Sequence, residues 1–263
     1  MSDDVLYWVR RYLAEGWAPV PIPRGEKGPR ASGWQTRAFA ETDFNTGDNV
    51  GIRLGAPSHH LVDIDLDCAE AIALAPHFLP PTGRIHGRAS KPRSHYYFHP
   101  TTAEDGKPRL KYAKYKDVDG AVLVEVRTTG QQTVVPPSVH PSGEAIVWEA
   151  ERDPARIADA ALVDAARALA TSTLLARHWP AGGSRHELAG AVAGLLAGVK
   201  TLDARVIETI VANAAELAQD DDVDDRARFA RETIANARTS ARPFTGAPRA
   251  SQNVGAAVVA SIR

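Results

Sequence analysis

The stretch "LVDIDLD", residues 61–67, sets three aspartates at alternate positions inside an apolar run. Successive side chains of a strand point to opposite faces, so Asp63, Asp65 and Asp67 share one face while Val62, Ile64 and Leu66 share the other. Aspartate is depleted in strands, and like charges on one face repel. A row of this kind needs either open water or a cation beside it. At a rise of ~3.3 Å per residue, neighbouring acids of the row stand about 7 Å apart, close enough to share divalent ions. Hard oxygen ligands of this type suit magnesium or manganese. The alternative is the solvated face of an antiparallel strand.

Working outward, strand-like runs alternate with turn signals on both sides of this stretch. "APVPIP" (18–23) and "NVGIRLG" (49–55) precede it; "SHYYFHP" (94–100), "AVLVEVRTTG" (121–130), "QTVVPPS" (132–138) and "AIVWE" (145–149) follow. The spacing predicts one helix before them, over about 3–14 and stopped by Gly16, and one directly after the aspartates in "CAEAIALAPHF" (68–78), closed by "LPPTG". Strands mixed with helices give an α/β (α+β) domain over residues 1–150 with a mixed sheet. From 151 to 241 the composition turns Ala- and Leu-rich with helical periodicity, as in "RIADAALVDAARALATSTLLARHW" and "DARVIETIVANAAELAQ", which predicts a small all-helical bundle. Residues 242–263 are rich in small residues and read as a linker or docking tail.

Composition narrows the classes. The 263 residues carry a formal net charge of -1, with 44% hydrophobic and 24% charged, so the chain as a whole favours neither an acidic nor a basic partner. A single cysteine, Cys68, excludes an internal disulfide framework and every multi-cysteine zinc module. No run approaches the ~18 apolar residues of a membrane span. The opening "MSDDVLYWVRRYLAEG" carries acids where a signal peptide has a basic region. The expected setting is reducing and cytoplasmic.

Charge is uneven locally. Between Arg84 and Lys116 there are nine Lys or Arg against two acids, interleaved with Tyr96, Tyr97, Phe98, Tyr112 and Tyr115. Cations mixed with aromatics are what grips phosphates and bases together. This marks Arg88, Lys111 and Lys114 as candidate DNA contacts, with Lys27 and Arg30 in the Gly- and Pro-rich loop "RGEKGPRASGWQ" (24–35). "RSHYYF" sets His95 at the start of an apolar strand, where it can donate to a triphosphate oxygen with Lys91 and Arg93 nearby. Glu125 is a lone acid in "VLVEVR", followed at the next same-face position by Arg127; a third carboxylate from a neighbouring strand is what a two-metal site requires. Glu125 and Arg127 facing water is the plain alternative. In "GGSRHELAG" (182–190) a capping box of Ser184 with Glu187 is expected to fix a helix N-terminus beside Arg185 and His186, a place for a template or nucleotide phosphate.

Together these residues resemble the primase-polymerase (prim-pol) domains of the archaeo-eukaryotic primase superfamily, found at the N-termini of plasmid and phage replication proteins. Those domains carry an acidic pair on a strand, then an s-x-H, then a third acid ending another strand. The corresponding stretches here are "LVDIDLD", "RSHYYF" and "VLVEVR", with "GWAPVPIPRGEKGP", "GIRLGAPS" and "VVPPSVHPSGEAIVW" fitting as flanks over about residues 10–150. The resemblance implies an RRM-like sheet in which Asp63, Asp65 and Glu125 hold two Mg2+ or Mn2+ ions, Asp67 giving a second possible register for the pair. It implies that His95 binds the nucleotide, with Arg93, Lys91 and Arg127 around it; some relatives carry a zinc-binding insertion, and with one cysteine no similar zinc module is expected here. The implied activity is template-directed nucleotidyl transfer from NTP or dNTP on single-stranded DNA in a bacterial host cytoplasm, with a helicase domain or protein as partner and no membrane.

Two other classes use similar residues. A metal-dependent nuclease also pairs acids, and "VEVR" distantly resembles an E-x-K motif, though arginine serves poorly as a base. A replication-initiation module that binds DNA without chemistry would keep the cations and have no use for the acids.

Overall fold

The aspartate run does form a strand, and its face is not wet. In the computed structural model, which describes residues 4–101, 110–199, 202–239 and 246–262, β3 (Val62–Leu66) is buried along its whole length. Lys107 and Arg109 of the cationic stretch fall outside the described residues.

The chain divides into two compact units, residues 1–67, 80–114 and 125–163 in one and 68–79, 115–124 and 164–263 in the other. In the first unit α1 (Val5–Ala14) starts where the Asp4 side chain accepts from the Leu6 N–H at 3.0 Å. It ends before Gly16, whose φ of +74° suits glycine. β1 (Ala18–Ile22) pairs antiparallel with β2 (Asn49–Arg53), and β2 pairs antiparallel with β8 (Gln132–Val135), giving a three-stranded sheet. Their inner faces and α1 bury an aromatic core of Trp8, Tyr12, Trp17, Tyr97 and Trp148. Inside it the Tyr12 hydroxyl donates to the Pro136 carbonyl at 2.5 Å and accepts from Trp148 Nε1 at 3.1 Å, so both polar tips are satisfied. Arg84, 2% exposed, lies between the Trp17 and Trp148 rings at 4.9 Å from each centroid and pairs with Glu15 at 2.7 Å. Ring quadrupoles and one carboxylate make this buried cation tolerable.

The larger sheet runs β6 (Ala113–Lys116), β7 (Val122–Arg127), β3, β5 (Lys91–Thr101), β4 (Arg84–Arg88), β9 (Val147–Glu151), with β10 (Ala155–Ala158) beside β5. The division into units falls within β6 and β7. β4 and β10 depart from the sequence reading. "RIHGR" carries no strand signal in the sequence and reads only as part of the cationic stretch, yet it is a strand with four of five residues buried, because Arg84 and His86 find aromatic partners. "ARIA" reads as the start of a helix, yet it pairs in parallel with Phe98–Thr101 and helix α3 (Asp159–Arg177) begins only after it. The mixed α/β class stands, with helices gathered after the strands.

In the second unit α2 (Ala69–Phe78) follows Cys68. The later helices are the end of α3, α4 (Arg185–Ala197), α5 (Ala204–Leu217) and α6 (Val223–Thr239). The tail read as linker is helical where described: α7 (Gly246–Val254) and α8 (Ala256–Ile262) bury Ala250 and Val259 in the same cluster as Leu188, Val192 and Ile210. Small residues that look like linker are what close helix packing uses. The capping box does not form. Ser184 has ψ of 8°, short of the extended backbone a cap needs, and its side chain makes no capping bond. Among the described residues no helix is long and apolar enough to cross a membrane.

Asp117 anchors the second unit by accepting from His178 Nε2 and Arg177 Nε, both at 2.6 Å, and from the Val118 N–H at 2.7 Å. Burial pushes its pKa up, but these bonds outweigh burial and hold it below the usual carboxylate range. A depressed folded pKa adds stability above the unfolded value, about 3.9, and loses it as pH falls through the folded one. The melting temperature of the native protein is therefore expected to fall more steeply from pH 5 to 2 than that of Asp117→Asn; parallel slopes in a thermal-melt series would remove Asp117 from this role.

Candidate functional site

Strand register assembles the site. Asp65 stands opposite His95 and Asp63 opposite Tyr97 across β3 and β5, and His86 stands opposite His95 across β4 and β5. Directly opposed residues share a face. Glu125 and Arg127 come to the same place from β7, the neighbour of β3 on its other side. Asp63, Asp65 and Glu125 are 0, 3 and 5% exposed, which removes the reading of these acids as a solvated surface. Asp67, one residue past β3, is exposed and pairs with Lys91 at 3.0 Å.

Each buried acid has a specific compensator. The His95 ring meets Asp63 through Nδ1 at 3.0 Å and approaches Asp65 through Nε2 at 3.5 Å. Burial lowers the His95 pKa, but Asp65 and Asp63 outweigh it and the net shift is upward. His86 stacks on it at 4.2 Å between centroids, 17° from parallel, and hydrogen-bonds the Tyr97 hydroxyl at 3.0 Å. Burial holds His86 well below its ordinary pKa, with His95 and Arg127 adding to the effect, so it supports His95 as a neutral ring. Arg127 bridges Asp65 at 2.6 Å and Glu125 at 2.9 Å. Burial opposes its charge, and Asp65, Asp63 and Glu125 reverse that, raising its pKa. Glu125 also accepts from the Tyr112 hydroxyl at 2.7 Å, with Lys114 at 3.5 Å; despite burial its pKa is lowered.

One atom is left over. Asp65 Oδ1 is buried and accepts no hydrogen bond among the described residues, a costly state for a carboxylate oxygen. Asp65, Asp67 and Glu125 each bring one oxygen within 4.8 Å of the others. An all-carboxylate set with an unsatisfied oxygen fits a hard divalent cation such as Mg2+ or Mn2+. Asp63, expected in this set, is turned to His95 instead, and Asp67 takes its place in the cluster.

Asp65, Asp67 and Glu125 open onto a cavity of about 390 Å3, which His95, Arg127, Lys91, Lys27, Arg88 and Lys114 also line and Asp63 does not. Other expected contacts lie elsewhere. Arg30 is exposed and pairs with Glu26. Lys111 is exposed and is not part of the lining. Arg93 would follow His95 in strand alternation, but a positive φ of 48° and a register shift between His86 and Arg88 place its guanidinium over Tyr96, a ring opposite Ile64 and Ile85 on the other face. In the second unit Arg185 is spent on Asp221 at 3.1 Å and on the Pro180 and Ala181 carbonyls. His186 there bonds Asp225 at 2.8 Å and stacks on Phe229. The run "DDDVDD" supplies these counter-charges.

Sequence reasoning missed His86, Trp34 and His140 as parts of the site. His86 lies in a stretch too polar to look like a strand, and His140 in the flank "PPSVHPSG", which carries no charge pattern.

Residues 9–160 match the family model described as bifunctional DNA primase/polymerase, N-terminal. No curated protein matches the chain.

Arg127→Met would leave Asp65 and Glu125 face to face without their shared cation. Breaking a buried pair costs about 3 kcal/mol, so the melting temperature in metal-free buffer is expected to fall by roughly 6–12 °C. Millimolar Mg2+ should restore more stability to the variant than it adds to the native protein; equal gains would show that these carboxylates are not a cation site.

Proposed function

The chain belongs to the bifunctional DNA primase/polymerase N-terminal family, and from that premise we propose that it performs template-directed nucleotidyl transfer on single-stranded DNA, making a primer from NTP or dNTP and extending it. Family membership supports a primase-polymerase function with DNA and nucleotides as substrates and divalent metal as cofactor. What supports this chain's own activity most is the convergence of Asp65, Asp67 and Glu125 oxygens within 4.8 Å beside a cavity of nucleotide dimensions.

Two Mg2+ or Mn2+ ions held by Asp65 and Glu125, with Asp63 or Asp67 completing the set, would activate a 3′-hydroxyl and neutralise phosphate charge. In the reaction the 3′-oxygen bonds to the α-phosphorus, the bond from that phosphorus to the β-phosphate oxygen breaks, pyrophosphate leaves, and the hydroxyl proton passes to water. Asp63 orients His95 by holding Nδ1, which leaves Nε2–H to donate to a triphosphate oxygen once Asp65 is otherwise engaged. Arg127 holds Asp65 and Glu125 in place. Lys91 and Lys114 stand at exchangeable ion pairs, ready to meet phosphate. Trp34 and Tyr112 on the lining offer stacking faces that suit template bases. The setting we assign is replication of a phage or plasmid in a bacterial cytoplasm, with a helicase acting alongside.

The test is synthesis from labelled nucleotides on a single-stranded DNA template with Mg2+ or Mn2+, comparing native protein with Asp65→Asn. Labelled oligomers from the native protein, reduced at least a hundredfold in the variant while DNA affinity is kept, are expected. Template degradation, or binding without synthesis in both proteins, would overturn the assignment.

A further inference from the structure

His140 belongs to none of the three acidic or histidine motifs, yet it lines the same cavity as the acids. Its environment fixes its chemistry. The Ser142 backbone N–H donates to His140 Nδ1 at 3.1 Å. The Ser142 hydroxyl oxygen lies 2.8 Å from the same nitrogen and can act either way, whereas the backbone amide has one hydrogen in a fixed direction; the amide therefore assigns the acceptor role to Nδ1 and the proton of the neutral ring to Nε2. That Nε2–H is buried and has no partner among the described residues. A buried donor left unmade is unfavourable unless a ligand completes it.

The surroundings say which kind of ligand. Burial lowers the His140 pKa, and Arg88, Lys27 and Lys91 lower it further, so three cations of the cavity lining bear on this ring. The ring is thereby kept neutral, a donor that adds no charge to repel its neighbours. Lys27 forms no ion pair among the described residues, and Lys91 is shared with Asp67. Glu144 organises the group: it accepts from Arg88 Nε at 3.1 Å, from the Ser90 N–H at 2.6 Å and hydroxyl at 2.7 Å, and from the Ser142 hydroxyl at 2.8 Å. With these bonds its pKa falls to about 2, so it stays ionised. One carboxylate thus anchors both Arg88 and the Ser142 turn whose backbone N–H holds the histidine.

We propose that His140 Nε2–H is a specific donor to the polyphosphate of the incoming nucleotide, working with Lys27 and Arg88. This rests on the nucleotidyl-transfer reading above and adds a binding residue to it. A preformed donor beside cations selects a phosphate oxygen over the water that would otherwise occupy the wall.

The test compares His140→Phe, which keeps a ring but no donor, with His140→Gln, which keeps a donor, measuring calorimetric binding of inorganic tripolyphosphate, a dNTP and a single-stranded oligonucleotide to the full chain. The Phe variant is expected to bind tripolyphosphate and dNTP about tenfold more weakly, the Gln variant within about threefold of native, and both to keep oligonucleotide affinity. Thermal melts confirm that each variant is folded; should the Phe variant fail to fold, His140→Ala takes its place. Native-like tripolyphosphate binding by the donor-less variant overturns the inference and leaves nucleotidyl transfer standing. Loss of oligonucleotide affinity alone also overturns it, by assigning the donor to template phosphate. If native protein binds neither tripolyphosphate nor dNTP, this inference and the functional reading it rests on fail together, whereas synthesis that survives in Asp65→Asn strikes the functional reading alone.

Discussion

Everything in the first unit answers to one constraint: three carboxylates are buried on one face of a sheet. An ionised carboxylate removed from water is strongly unfavourable unless paired and hydrogen-bonded. The fold meets this with a cation or donor for each acid. Asp63 has His95, Glu125 has Tyr112 and Arg127, and Asp65 shares Arg127 through a single oxygen. These partners come from β5, β7 and the segment before β6, so β3 must lie between β5 and β7 for the compensation to work. Behind the face His86 and the tryptophan-tyrosine core fix the ring that fixes Asp63. The deficit that remains is on Asp65 Oδ1, which accepts no hydrogen bond among the described residues and which His95 Nε2 approaches at 3.5 Å.

Period two in "LVDIDLD" made β3 legible, because no helix places those aspartates on one side while keeping the apolar residues together. "VLVEVR" was legible for the same reason. β4 was not, since periodicity tracks hydrophobicity and "RIHGR" is buried through cation-π and ring stacking. The parallel pairing of β10 with β5 was also hidden: four residues before a long helix carry no period of their own. The tail misled in the opposite sense. Alanine looks featureless in such a tail, yet Ala247 and Ala250 bring α7 into the cluster that holds Leu188 and Val192 of α4.

The candidate site shows the same split between type and orientation. The acids, His95 and Arg127 were readable from residue type and alternation, and the sheet brings them together. The cations were readable only as a count. Arg93, Arg185 and His186 all lie in stretches rich in charge, but a left-handed backbone turns the first away and acids of the second unit engage the other two. Charge density reports that phosphate contact is affordable to a surface; it does not report which side chains already have partners. Nor could it separate Asp63 from Asp67, because same-face geometry is common to both and only the His95 contact distinguishes them.

On the proposed reading, the acid group and the Glu144 group of the lining would divide the work of holding a nucleotide. At the acid end, Arg127, Lys91 and Lys114 occupy positions that cations or phosphates can take over. Lys114 and Asp67 are partly exposed, and ion pairs of that kind contribute at most about 1 kcal/mol, so releasing them costs little. At the other end the arrangement is rigid. Glu144 holds Arg88 and the Ser90 and Ser142 turns through four bonds, and its charge is secured by them. Phosphate arriving there meets groups already oriented, whereas at the acid end partners must be exchanged. On that reading the Glu144 group would set the orientation, and exchange at the acids would take place against a ligand already in position, which lowers the entropy that ordering the reacting atoms would otherwise require.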